Sequence, residues 1–273
     1  MIQSKTTVRL LTAMGAAIAA LVLLVPMASA KEPAPGYTQF AGCPSPEENA
    51  EAVVCFRAVI NGGHFQMGSK DVPIEKPFTL SGGFESEFTK FFYNSKGGLT
   101  PVKQKVPGGV IGLTGLTWLL EFLGSEALTL YAVTELAGPV VGGDGVNLPI
   151  KVHLINSVLG NNCYVGSTSN PIKLHLITGK TEPPPPNVPI EGQLPKEIFQ
   201  DELGIFHSNK SIFVDNAFAA PGASGCVLTL FGFIPISING LVNSQSGLPS
   251  PAGHNETRQN TDSEFAFRSL VYP

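Results

Sequence analysis

Beyond residue 30 the chain is divided into short apolar runs of strand length, and sustained helical periodicity is scarce. Phe78-Thr-Leu, Phe91-Phe-Tyr and Ile212-Phe-Val are runs of this kind, and residues 128–136 (LTLYAVTEL) alternate as a half-buried strand should. The run Ala58-Val-Ile stops at Asn61-Gly-Gly, which reads as a turn. Gly-Gly pairs at 62–63, 82–83, 97–98, 108–109 and 142–143 punctuate the pattern at loose intervals. The expectation is a mainly β protein, an antiparallel β sandwich or barrel with at most one or two short helices. The helical candidate is residues 116–123 (LTWLLEFL), which carry Trp118 and are followed by Gly124 as a cap.

One repeat stands out. Residues 149–155 (PIKVHLI) and 171–177 (PIKLHLI) match at six of seven positions, 22 residues apart. In each copy Ile, Val or Leu, and Leu share one face, while Lys and His share the other. A hairpin of two equivalent strands follows, with proline at each strand's first position and Cys163 in the connecting loop. A hairpin centred on residue 164 sets His153 opposite His175, which makes that pair the best candidate site. Lys151 and Lys173 flank the two histidines and disfavour a cation, so a solvated strand face is the plainer reading. Residues 182–189 (EPPPPNVP) form a stiff polyproline segment, expected as an external connector of one β-rich domain spanning 31–273.

Residues 1–30 have the form of a secretory signal peptide. Lys5 and Arg9 precede an uncharged run that Pro26 breaks, and Ala28-Ser-Ala30 supplies a small-x-small cleavage site. Cys43, Cys55, Cys163 and Cys226 all follow this segment. Four cysteines in an oxidising compartment imply two disulfides, for which three connectivities exist. Cys43–Cys55 with Cys163–Cys226 is the favoured set. No second apolar span follows, so no membrane crossing is expected after cleavage.

Composition narrows the function classes. Charged residues make up 14% of the chain, against about 25% in ordinary soluble domains. Cleavage after residue 30 leaves 15 Lys and Arg against 21 Asp and Glu, a net charge of -6. An acidic chain without a basic stripe is not a nucleic-acid binder. Thirty glycines and 23 prolines accompany 43% hydrophobic residues, enough apolar surface to offset chain entropy. No zincin, P-loop or Rossmann pattern occurs, and no cofactor is expected. Ser224 in Gly222-Ala-Ser-Gly-Cys226 is a distant match to a nucleophile elbow, with cysteine where glycine is required. Glu47/Glu48 and Asp201/Glu202 are adjacent pairs, poorly placed for joint acid–base work. Asp144 between two glycines reads as a turn. The sequons at Asn209 and Asn255 mark surface loops.

The chain resembles a family of functionally uncharacterised actinobacterial secreted proteins. The likeness lies in the signal peptide and in residues 133–138 (VTELAG), 162–172 (NCYVGSTSNPI), 176–179 (LITG) and 183–190 (PPPPNVPI). It continues through residues 214–226 (VDNAFAAPGASGC) and 247–253 (GLPSPAG), and the closing stretch 264–273 departs from it by being more apolar. The resemblance implies bacterial export and a two-disulfide β-rich domain, and it carries over no catalytic or binding residue. The expected role is that of a secreted or cell-envelope structural or interaction protein without a catalytic site. A binding module for an apolar or lipid-like ligand and a secreted hydrolase are the alternatives. Low charge, 17 phenylalanines and glycines that let strands curve support the ligand-binding reading.

Overall fold

Strand β1 (Val54–Met67) runs straight through the residues whose pattern signals a turn. Gly62-Gly63 is a β-bulge, where the register against the last strand shifts between Ile60 and Gly62. Gly63 has φ +109°, and a Cβ there would lie 1.8 Å from the Arg258 carbonyl oxygen. Glycine is demanded here by the close approach of two strands and not by a chain reversal. Gly82-Gly83 likewise lies inside a strand, with the Phe91 ring pressed against Gly82 and Cys43 Sγ against Gly83.

The computed structural model describes residues 31–118, 128–230 and 233–273, and residues 31–273 form one compact unit. Residues 1–30, expected as a signal peptide, and most of the helical candidate 116–123 lie outside the described residues. The first sheet runs β11 (Glu197–Gln200), β12 (Phe206–Asp215), β16 (Glu256–Phe267), β1, β3 (Phe78–Phe84) and β4 (Phe91–Phe92). Strand β2 (Lys70–Pro73) pairs with β1, and β5 (Gly98–Leu99) pairs with β3. The second sheet runs β13 (Ala223–Ser224), β9 (Tyr164–Val165), β8 (Val146–Ile155), β7 (Tyr131–Leu136) and β6 (Gln104–Lys105), with β10 (Ile172–Leu176) also on β8. A separate hairpin joins β14 (Val227–Leu230) to β15 (Ile234–Ser237). All named strand pairs are antiparallel. Among the described residues the α-helices are short: α1 (Gly109–Thr114), α2 (Asn239–Ser246) and α3 (Arg268–Val271).

The two sheets pack face to face. Phe56, Leu80 and Phe84 of the first share a buried core with Leu148, Ile150 and Val152 of the second. Each such side chain contributes roughly 1.5–3 kcal/mol by leaving water. A smaller cluster covers the opposite face of the first sheet at one end, where Phe40, Ile205 and Val271 surround Cys43 and Cys55. The apolar closing stretch is thereby accounted for: Phe265 packs on the main core, while Ala266, Val271 and Tyr272 join the smaller cluster. The disulfides are Cys43–Cys55 and Cys163–Cys226.

The twin strands β8 and β10 do pair, but out of the simple register. Ile172 faces Ile150 and His175 faces Asn147, whereas His153 faces Tyr164 of β9. Residues 166–171 leave the ladder between β9 and β10 and displace the returning strand. His153 and the partner of His175 are thus six residues apart along β8, about 20 Å at strand rise. Pro149 is an interior residue of β8, its carbonyl accepting from Ala137 N–H at 2.9 Å.

After β10 the chain crosses between sheets. Ile177 and Val214 exchange backbone hydrogen bonds of 3.1 and 2.8 Å, so the end of β10 docks on β12 of the first sheet. The proline run 182–189 is an exposed loop closed at its base by Thr181 N–H donating to Ile190 O at 2.9 Å. Asn187 Nδ2 fastens that loop to the body by donating to Asn216 O at 2.9 Å and Asn255 O at 2.8 Å.

Candidate functional site

Where β8 and β10 end, the second sheet stops covering the first, and a cleft of about 880 Å³ opens between them. That volume falls within the roughly 300–1,000 Å³ of small-molecule sites. Its floor is the inner face of the first sheet, whose chemistry changes from edge to edge. On one side Phe56, Phe84 and Phe265 make ring contacts, with centroids 5.3 Å apart for Phe56–Phe84 and 5.0 Å for Phe56–Phe265. Phe88 extends this aromatic wall, 5.6 Å from Phe84. Across β16 and β12 the floor turns polar, with Ser208, Ser211, Gln259, Thr261 and Ser263 facing the cleft.

Strand alternation explains the polar half. In β16 the outward positions carry Glu256, Arg258, Asn260, Asp262 and Glu264, while Thr257, Gln259, Thr261 and Ser263 are buried. The inward row is therefore uncharged without being apolar. Hydrophobic periodicity does not register such a strand, and none of its cleft residues is a candidate from sequence. The signal that was present is the alternation of charged or amide side chains with small uncharged ones.

Asp215 lies at the corner where β10 meets β12. Its Oδ2 accepts from His175 N–H at 2.7 Å and its Oδ1 from Ala217 N–H at 2.8 Å. Burial is the main influence on this carboxyl and pushes its pKa above the ordinary value, against the two N–H donors. The group is a tie between the sheets. At the mouth of the cleft stand Asp144, His175, Lys180 and Glu182.

The two candidate histidines separate. His175 lines the cleft mouth, its Nδ1 donating to Asn147 Oδ1 at 3.0 Å. His153 belongs to the outer face of the second sheet, stacked on Tyr164 with centroids 4.3 Å apart. Its Nε2 donates to Asn161 O at 3.0 Å, and its Nδ1 is 3.5 Å from Glu135 Oε1. The expected opposed pair is not formed. Among the described residues no group of three His, Cys, Asp or Glu is placed to hold a metal ion.

The remaining motifs are structural. Ser224 pairs with Tyr164 in the β13–β9 ladder, beside the disulfide-bonded Cys226. Asp201 organises a turn, accepting from Leu203 N–H at 3.0 Å and Ile205 N–H at 2.9 Å. Asn255 is not on a surface loop: it is 1% exposed, with Nδ2 donating to Phe218 O at 2.9 Å and Oδ1 accepting from Gly68 N–H at 3.0 Å.

Fold and cleft together define the class: an antiparallel, disulfide-bonded β sandwich with an amphipathic cleft of ligand size between its sheets. No protein-family model, curated protein or solved structure matches the chain.

Proposed function

We propose that this protein is an exported binding module that holds an apolar or lipid-like ligand in the cleft between its sheets. The observation that carries the reading is the phenylalanine-walled cleft of about 880 Å³ between the sheets. Apolar walls with a few convergent polar groups are the usual make-up of small-molecule sites. Two disulfides and the signal-like segment 1–30 support a secreted or cell-envelope location. Among the described residues no helix is long and apolar enough to cross a membrane. The likeness to actinobacterial secreted proteins rests on the sequence motifs alone, and the host envelope it implies belongs to this proposal.

The test is titration with the uncharged apolar fluorophore N-phenyl-1-naphthylamine. Saturable binding is expected, with Ser208→Trp lowering affinity at least tenfold by filling the cleft from its polar side. Binding that Ser208→Trp leaves unaltered, or an absence of binding, would refute the reading. A purely structural or interaction role would then draw on the edge strand β11, where Ile198 is 71% and Phe199 49% exposed.

A further inference from the structure

Resting on the ligand-binding reading of the cleft, we infer that its occupant is an uncharged amphiphile with a hydroxyl-bearing head group, and not a fatty-acid anion. The apolar tail lies along Phe56, Phe84 and Phe265, and the head lies against a grid of hydroxyls on β12 and β16.

The grid comes from the register. Ser208 faces Ser263 and Ser211 faces Thr261 across the two strands, so members of each pair have Cβ atoms about 5 Å apart. Successive inward positions along β16 are about 7 Å apart. Ser211, Thr261 and Ser263 are 3%, 4% and 6% exposed. Among the described residues the Ser208, Ser211 and Ser263 hydroxyls make no hydrogen bond to protein, and Thr261 Oγ1 makes one of 3.4 Å to Gln259 O. The side chains are enclosed by protein, but their hydroxyl oxygens open onto the cleft, where solvent or a ligand completes their hydrogen bonding. Three hydroxyls facing one cavity without protein partners are suited to a ligand that both donates and accepts, as an alcohol or polyol does.

The charges exclude the commoner head group. The ionisable residues lining the cleft are three carboxylates (Asp144, Glu182 and Asp215), His175 and Lys180. Lys180 and Glu182 are exposed at the mouth, and among the described residues no cation accompanies the hydroxyls on β12 and β16. A carboxylate head seated there would leave water without a counter-charge, an unfavourable exchange. A cationic head gains little, since both Asp215 oxygens already accept backbone N–H groups.

The experiment displaces bound N-phenyl-1-naphthylamine with two competitors sharing one acyl chain, 1-monopalmitoylglycerol and palmitate, at neutral pH and below their aggregation thresholds. The monoacylglycerol is expected to compete at least tenfold more tightly. Ser211→Ala with Ser263→Ala, near-isosteric changes, should bring that ratio toward one, each competitor being referred to the fluorophore's affinity for the same variant. Phe84→Leu should weaken both competitors alike. Equal or tighter competition by palmitate, or a ratio unmoved by the serine substitutions, would overturn the inference while the cleft reading stands. Failure of the fluorophore to bind wild-type protein would overturn both.

Discussion

Two aspartates show how position, and not residue type, decides what a carboxyl does. Asp215 is enclosed at the corner between sheets, and burial raises its pKa above the ordinary aspartate value. Its folded form therefore holds a proton more readily than the unfolded chain, and what it adds at low pH is lost as pH rises through the raised value. Asp201 is the reverse case. Its Oδ2 accepts from His207 Nε2 at 3.1 Å, and this bond first, then those from Ile205 and Leu203 N–H, holds its carboxyl below 3.8. The stabilisation is present in full above 3.8 and is lost as pH falls through the lowered value. Asp201→Asn should accordingly lower Tm at neutral pH, with the gap narrowing on acidification below 3.8; a gap constant across that range would contradict the assignment. Neither shift was legible beforehand. The pair Asp201/Glu202 reads as loop charge, because the chain alone does not show that His207 returns to it across the β11–β12 connection.

At the scale of elements, glycine is the residue whose meaning changed most. Gly62-Gly63 and Gly82-Gly83 carry the same local signal as the pairs in turns, yet they lie within β1 and β3 because neighbouring backbone and rings come too close for a side chain. Gly63→Ala should destabilise by about 1–3 kcal/mol, combining a positive φ with collision against the Arg258 carbonyl. Chemical denaturation would measure it, and a loss below a few tenths would show that the bulge relaxes freely. Where inward positions are apolar, as in β7, β8 and β10, strand identity was readable from alternation. The pairing of β8 with β10 was readable too, but its register was not, since residues 166–171 carry no pattern that reports how much chain leaves the ladder. The polar half of the cleft was invisible for a different reason: β16 buries threonine, glutamine and serine, and a search for apolar periodicity passes over it.

For the whole molecule, the disulfides divide the work unequally. Cys43–Cys55 closes a sequence separation of 12 and fastens the segment before β1 to the smaller core. Cys163–Cys226 closes a separation of 63 and ties the chain entering β9 to the start of β14. On the chain-entropy account the short bridge stabilises by about 3 kcal/mol and the long one by about 4. Replacing Cys163 and Cys226 by serine should therefore lower the unfolding midpoint further than replacing Cys43 and Cys55, and the opposite order would show that the smaller core depends on its sulfurs for packing. The connectivity was accessible from spacing and compartment, whereas the separation of the sheets at the cleft was not. The inward hydroxyls of β12 and β16 disfavour closing that separation. Were the second sheet to slide over and seal the floor, each would be trapped against hydrocarbon at a cost of about 1–3 kcal/mol. The inward hydroxyls favour an amphiphile or solvent over hydrocarbon as their neighbour, so the composition of one strand face itself favours the open floor.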